Sequence, residues 1–138
     1  MPELQNTLGM TSVIQPDGWA RPRGYSNGIV AQGRILAIAG QIAWNERCEI
    51  VSDDFLEQAA QALRNVLTVV HAAGSSAERI VRLTWYVTDK REYLEASRQL
   101  GPVFKELFGS HYPAMSLVQV TALLEDRAKV EIEATAVF

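Results

Sequence analysis

The sequence predicts an α+β protein, in which two helices cover one face of a mixed sheet in the order ββαβαββ. Two long segments repeat apolar residues at three- and four-residue spacing, as amphipathic helices do. The segment between them alternates apolar and polar residues, as a half-buried strand does. Further strand-like segments precede the first helix and follow the second, so the two layers form a sandwich.

The first two predicted strands are residues 28–31 and 34–41. Gln32 and Gly33 separate them, and a two-residue connection containing glycine is typical of a tight hairpin turn. We therefore expect these strands to pair with each other.

The first predicted helix spans residues 52–73. Ser52 is a suitable N-cap, Asp53 and Asp54 suit the positive end of the helix dipole, and Gly74 can end the helix in a left-handed conformation. One apolar stripe runs along it: Phe55, Ala59, Ala62, Leu63, Val66, Leu67 and Val70.

A strand is predicted over residues 79–88, and it would complete a right-handed parallel crossover through the first helix. Its apolar face has Val81, Leu83, Trp85 and Val87, and its other face has Arg82, Thr84, Tyr86 and Thr88.

The second predicted helix begins near Asp89, whose spacing to Glu92 is that of a capping box, and ends at Gly109. Gly101 and Pro102 predict a kink or a restart, because proline lacks the backbone donor that a helix interior needs. The apolar side of this helix has Tyr93, Leu100, Val103, Phe104 and Leu107.

The last two predicted strands are residues 114–122 and 129–138. Two helices on one side leave the other face of the sheet uncovered, with Tyr86, Val118 and Val120 on it. Such a face favours association with another chain.

Length and composition predict a single domain, residues 1–138, with residues 1–22 its least regular segment. The net charge of −3 and the lack of a basic block predict no nucleic-acid partner. No apolar run reaches the roughly 20 residues of a membrane span, and no signal peptide pattern is present. With a single cysteine, Cys48, a cytoplasmic location is predicted.

Several short motifs occur in a fixed order: Gly40-Gln41, Ala72-Ala73-Gly74, Val87-Thr88-Asp89, Tyr112-Pro113-Ala114-Met115-Ser116 and Glu131-Ile132-Glu133-Ala134. In that order they resemble the Rid family (RidA/YjgF/YER057c/UK114) over nearly the whole chain from residue 24 onward. The resemblance implies a chorismate-mutase-like fold and a homotrimer. The three sheets would line a central barrel, with small-molecule clefts at the subunit interfaces.

The characterised deaminases of that family hydrolyse imine and enamine acids such as 2-aminoacrylate, without metal or organic cofactor. The arginine of their Pro-Ala-Arg-Ser motif binds the substrate carboxylate. Met115 stands in its place here, and a thioether has neither a charge nor a donor. The loss of this arginine therefore favours a non-acid substrate rather than 2-aminoacrylate, or a protein that binds a metabolite without catalysis.

The resemblance also assigns the other site residues. Glu131 matches the carboxylate that orients or activates water, which makes it the predicted catalytic residue. Tyr25 and Ser26 match a tyrosine-serine pair near the cleft. The remaining predicted substrate-binding residues are Ala39 in place of a serine, Gly40, Ser97 in place of an asparagine, Met115 and Ser116.

Plainer interpretations stand beside these assignments. Met115 is also a suitable core residue, and Glu131 and Glu133 alternate as residues of a solvated face do. Arg21, Arg23 and Arg82 are either replacements for the missing cation or ordinary surface arginines.

The two histidines and the cysteine are too scattered along the chain to predict a metal site. His111 lies two residues before Pro113 and could face the cleft, whereas His71 is expected on a helix surface.

Two functions follow. The first is a cofactor-free imine or enamine hydrolase of altered substrate, and the second is a non-catalytic trimer that binds a metabolite or regulates a partner. An endoribonuclease is disfavoured by the acidic net charge.

Overall fold

The computed structural model describes residues 11–138. Their strands and α-helices are, in chain order, β1 (Thr11–Ile14), β2 (Gly28–Ala31), β3 (Ile35–Gln41), α1 (Phe55–Ala72), β4 (Ile80–Val87), α2 (Lys90–Phe108), β5 (Ala114–Gln119) and β6 (Val130–Val137). One turn of 3-10 helix, Ala77–Arg79, leads into β4. β1 lies in the segment 1–22, which the sequence predicts to be the least regular part of the chain, and the first ten residues of that segment lie outside the described residues.

The main sheet has four strands in the order β3-β6-β4-β5. β6 is antiparallel to both of its neighbours, while β4 and β5 are parallel. β3 and β4 therefore run in the same direction on either side of β6, as a crossover through α1 requires. The predicted α+β fold with a mixed sheet is confirmed.

The predicted hairpin between β2 and β3 is wrong. β2 pairs with β1 in a separate two-stranded sheet, whereas β3 pairs with the C-terminal strand β6. At the start of β3 the chain runs against its own C-terminus, where Arg34 and Phe138 exchange two backbone hydrogen bonds. A Cβ on Gly33 would lie 2.8 Å from the carbonyl oxygen of Phe138. Gly33 thus permits a contact between distant parts of the chain rather than a local turn.

Both helices pack on the same face of the main sheet. The whole predicted stripe of α1 is buried, and α2 adds Leu100, Phe104 and Phe108 to the same core. Alternate residues of β4 and β6 complete it, including Leu83, Trp85 and Ile132. Trp85 lies in this core, as the strand alternation predicts.

α1 begins one turn later than predicted. Its N-cap is Asp54, whose carboxylate accepts a hydrogen bond from Glu57 N at 3.0 Å, while Ser52 Oγ accepts one from Asp54 N. At the other end Gly74 has φ +83°, which is the left-handed conformation predicted for it.

α2 has the predicted N-cap, Asp89, but no capping box. The carboxylate of Glu92 contacts Lys129 Nζ at 3.0 Å instead. The helix also continues through Pro102 as a single 19-residue element, so it does not restart there. Gly101 helps, because it has no Cβ to collide with the proline ring that follows it.

Gln58 is a fully buried polar residue of α1. Its Nε2 donates to the carbonyl oxygens of Ser52 and Arg127, at 2.8 and 3.0 Å, and its Oε1 accepts from Lys129 N at 2.8 Å. One side chain thus joins the segment before α1 to the loop before β6.

The sheet face opposite the helices is called the open face here, and its residues include Thr84, Tyr86, Ser116, Glu131 and Glu133. These side chains alternate with core residues along β4, β5 and β6. In the single chain no described helix covers this face, as the sequence predicts.

Candidate functional site

A cleft of about 480 Å³ opens between α2, β5 and the segment that precedes β2. Five aromatic residues line it: Tyr25, Trp85, Tyr93, Phe104 and Tyr112. Four smaller or aliphatic residues complete its apolar wall: Leu100, Gly101, Met115 and Leu117. Arg23 and Ser97 also line it.

The aromatic rings form two packed groups around the cleft. Trp85 and Tyr93 meet edge to face, with centroids 6.0 Å apart and an interplanar angle of 69°. Phe104 and Tyr112 lie nearly parallel with centroids 5.9 Å apart. Aromatic side chains with ring neighbours lose little further entropy when a ligand packs on them.

Three predicted site residues line this cleft, namely Tyr25, Ser97 and Met115. Met115 pairs with the core residue Leu83 on the neighbouring strand and packs against the core. Met115 therefore packs against the core and also lines the cleft, so both interpretations of this residue apply. The Ser97 hydroxyl donates to the carbonyl oxygen of Leu94 at 2.8 Å, so its proton is used within the helix.

Ser26 lies beside the cleft rather than in its lining. It is buried, its Oγ donates to the carbonyl oxygen of Tyr112, and its backbone N donates to that of Pro113 at 3.0 Å. A β-bridge to Ala114 completes the attachment. Ser26 thus fixes the segment that carries Tyr25 to the edge of β5.

The other predicted site residues lie toward the open face. Glu131 is half-buried there and packs on Gly40, where an added Cβ would lie 2.7 Å from Glu131 Cδ. Ala39 precedes Gly40 on β3 and is exposed, and Ser116 is exposed opposite Thr84. The absence of a side chain at residue 40 makes room for the Glu131 carboxylate.

A second carboxylate of the open face, Glu133, accepts a hydrogen bond from the Tyr86 hydroxyl at 2.7 Å. This hydrogen bond raises the pKa of the Tyr86 phenol above its ordinary value, and burial and the charges of Glu133 and Glu131 act in the same direction. The phenol therefore keeps its proton at neutral pH. Glu133 thus has a partner within the chain.

The cleft and Glu131 are separated within one chain. Glu131 is in register with Tyr86, which is in register with Val118, three positions beyond Met115 on β5. Three strand residues span roughly 10 Å, and the side chains of Met115 and Glu131 leave opposite faces of the sheet. A single chain does not bring the two predicted halves of the site together.

The three candidate arginines lie in different parts of the fold. Arg23 lines the cleft, and Arg82 lies on the open face beside Thr84 and Glu133. Arg21 is exposed and is not part of the cleft lining. Arg23 is therefore the one of the three that is placed to meet a molecule in the cleft.

The two histidines lie apart from the cleft lining. His111 places Nε2 2.7 Å from the carbonyl oxygen of Ile80, and His71 is exposed on the last turn of α1, as expected. Within residues 11–138, no three His, Cys, Asp or Glu side chains are grouped so that they could hold a metal ion. Neither α-helix in that range combines the length and the apolar content needed to cross a membrane.

Sequence reasoning missed Tyr93, Phe104 and Tyr112 as cleft walls. Tyr93 and Phe104 were assigned to the apolar side of α2, which packs on the core. A signal was available, because Tyr93 and Gly101 lie four residues on either side of Ser97 and share its helix face.

The sequence of this chain is similar to those of known proteins. The family described as Endoribonuclease L-PSP matches residues 19–138. A RutC family protein of Pyrococcus horikoshii is 33% identical over 128 residues, covering 92% of this chain and 98% of that protein. The 2-iminobutanoate/2-iminopropanoate deaminase of Salmonella typhimurium is 35% identical over 105 residues, covering 76% of this chain and 80% of that protein.

Solved structures agree with these matches. The Rid family protein YyfB from Yersinia pestis superposes with a TM-score of 0.81 at 34% identity, covering 93% of this chain and 98% of that one. TdcF from E. coli with bound serine superposes with a TM-score of 0.68 at 34% identity, covering 92% and 98%. The chain belongs to the Rid family (RidA/YjgF/YER057c/UK114).

Proposed function

We propose that this protein is a homotrimer that hydrolyses imines or enamines in clefts between its subunits, with Glu131 handling the water and without a cofactor. The observation that carries this proposal is the packing of Glu131 on Gly40, which holds a carboxylate on the open face of a chain whose relatives include a named imine deaminase.

The separation of Met115 from Glu131 supports the assembly. A site that needs both must take the cleft from one chain and the open face from another. The two edges of the main sheet differ, because β3 lies at one edge and β5 at the other. Unlike edges can associate head to tail, and such contacts close into rings when the rotation allows it.

Sedimentation equilibrium at micromolar concentration tests the assembly, with an expected mass of three 15.3-kDa chains. Ile35 on the edge strand β3 is 76% exposed in the single chain, and Ile35→Glu is expected to shift the equilibrium toward monomer. Leu94→Glu is the control, because Leu94 is similarly exposed, at 60%, but lies on α2. A monomeric native protein would contradict the shared cleft.

The proposed reaction adds one water molecule to a carbon–nitrogen double bond. Glu131 accepts a proton from the water as the water oxygen bonds to the imine carbon, and it passes this proton to the nitrogen, which gives a carbinolamine. The hydroxyl of the carbinolamine then loses its proton and the nitrogen gains one. The carbon–nitrogen bond breaks as the carbonyl forms, which releases ammonia and a carbonyl compound. A positioned carboxylate can act as such a general base within hydrogen-bond reach of the water.

Met115 supports a changed substrate. It stands where the resemblance places the carboxylate-binding arginine, and it joins an aromatic and aliphatic wall. That wall favours a substrate with a larger apolar group than 2-aminoacrylate has.

Ammonia release from imines generated in place by amino-acid and amine oxidases tests the activity. The native protein is expected to turn over imines with large apolar groups, and Glu131→Gln to lower that turnover by about 100-fold. Glu133→Gln is the matched control, because this carboxylate lies on the same face but bonds to Tyr86. Met115→Arg is expected to increase the hydrolysis of small imino acids.

The same assay separates the proposal from a non-catalytic metabolite-binding trimer. No turnover of any imine by the native protein would contradict the enzyme and favour that alternative. Equal losses in Glu131→Gln and Glu133→Gln would remove the assigned role of Glu131.

A further inference from the structure

Several side chains that line the cleft can donate hydrogen bonds, and none of its described lining residues carries a carboxylate. The donors are the guanidinium of Arg23, the phenols of Tyr25, Tyr93 and Tyr112, and the indole of Trp85. The whole chain has a net charge of −3. A cleft with one cation and no anion therefore differs in sign from the rest of the molecule.

The Arg23 guanidinium has no hydrogen bond or ion pair with any other residue of the described chain. Arg47 and Arg127 differ, because their guanidinium groups contact Glu49 at 3.6 Å and Asp53 at 3.0 Å. An unpaired guanidinium beside aromatic rings is available for an anion, and its planar donors suit a carboxylate.

Trp85 has a buried donor without an acceptor, which the π face of an aromatic ligand can supply. Its side chain is 4% exposed, and its Nε1 is buried without a hydrogen-bond partner. Buried donors are nearly always paired, and leaving one unpaired costs about 1–3 kcal/mol. Trp85 is the one side chain among the described residues with such an unpaired buried atom.

The lining residues of the cleft differ in their exposure. Arg23 and Tyr25 are exposed at its mouth, whereas Trp85 and Phe104 are buried at 4% and 8% exposure. A ligand that matches this arrangement has an anionic end toward Arg23 and a flat apolar body toward the rings. Aromatic bodies pack well on edge-to-face and stacked ring pairs.

We propose that the cleft selects aromatic carboxylates, with Arg23 binding the carboxylate at the mouth and the ring lying against Trp85, Tyr93 and Phe104. For the proposed reaction, on which this assignment of a substrate rests, the substrate class is an imino acid with an aryl side chain. The carboxylate-binding cation is then supplied by the segment before β2 rather than by residue 115 on β5.

Titration calorimetry with hydrocinnamate, hydrocinnamide and propanoate tests this on the 138-residue chain. Hydrocinnamate carries both the ring and the carboxylate, and each comparison compound lacks one of them. The native protein is expected to bind hydrocinnamate about 10-fold or more tightly than either comparison compound, as a hydrogen bond to a charged group provides.

Arg23→Ala is expected to remove the preference for hydrocinnamate over its amide, and Arg23→Lys to restore part of it. Arg21→Ala is the matched control, because it removes a neighbouring exposed arginine that does not line the cleft. The proposal is overturned if Arg23→Ala behaves like Arg21→Ala, or if the native protein does not prefer hydrocinnamate to both comparison compounds.

The outcome is independent of catalysis. Selective hydrocinnamate binding without any imine turnover would overturn the proposed reaction and keep the assignment of Arg23. Imine turnover that depends on Glu131, with no effect of Arg23→Ala on binding, would keep the reaction and overturn the assignment.

Discussion

Replacing Gly40 by alanine is expected to lower imine turnover by about 100-fold, close to the loss expected for Glu131→Gln. The new Cβ would lie 2.7 Å from Glu131 Cδ and 2.9 Å from its Cγ. These atoms belong to a flexible side chain, so the carboxylate would move while the backbone stays in place. Steady-state kinetics with the best imine of the panel provides the measurement.

Gly28→Ala is the control for this change. Its new Cβ would meet the Cβ of Ile14 at 3.7 Å, which is an ordinary contact far from Glu131. Thermal unfolding of both variants should show a folded protein. Full turnover in folded Gly40→Ala would show that the position of Glu131 relative to Gly40 does not matter for the reaction.

Replacing Gln58 by leucine is expected to lower the free energy of unfolding by about 3–5 kcal/mol. The change would leave the carbonyl oxygens of Ser52 and Arg127 and the amide of Lys129 without the partner they have now. Each buried polar group left unpaired costs about 1–3 kcal/mol, and water entering the site offsets part of the sum. Urea unfolding measures the difference.

Gln61→Leu serves as the comparison on the same helix. Gln61 is half-buried, and its amide donates to the side chain of Asn65 at 2.9 Å, so a loss of about 1 kcal/mol or less is expected. Similar losses in the two variants would mean that the bonds of Gln58 to the two loops contribute little to stability.

Sequence reasoning succeeded where the signal is local. The apolar stripe of α1 and the alternation along β4 each depend on residues within one element, and they place the whole stripe and Leu83, Trp85 and Val87 in the core. The prediction for Val81 is wrong, because the pairing with β6 shifts register between Ile80 and Arg82 and Ile80 is buried instead. Sequence reasoning failed for the β2–β3 hairpin, because the partner of β3 is β6, about 100 residues further along the chain. No local pattern around Gly33 records its contact with Phe138.

The N-terminal caps of the helices could be predicted only in part, because the sequence offers more than one suitable capping residue or partner. Ser52 and Asp54 are both good N-caps, and the helix begins after Asp54 while Ser52 bonds to the amide of Asp54. Glu92 has the spacing of a capping box, but Lys129 offers it a charged partner from another part of the fold. Sequence spacing alone cannot show whether the Glu92 carboxylate bonds to a backbone amide of its own helix or to a lysine from a distant part of the chain.

The candidate site could be predicted only in part. The family resemblance named Tyr25, Met115 and Glu131, but it could not show that the first two lie on the helix side of the sheet and Glu131 on the open face. The cleft walls on α2 could not be predicted, because the residues that face the core and the residues that face the cleft recur at the same helical spacing in the sequence.

The predicted site residues are divided between the two faces of the sheet. Within one chain, Met115 and Arg23 on the helix side have no contact with Glu131 or Gly40, because the sheet lies between them. If both faces serve one reaction, substitutions that alter substrate choice need not disturb the group that handles water. A family built on this sheet can therefore acquire new substrates by mutation of one face while it inherits its chemistry on the other.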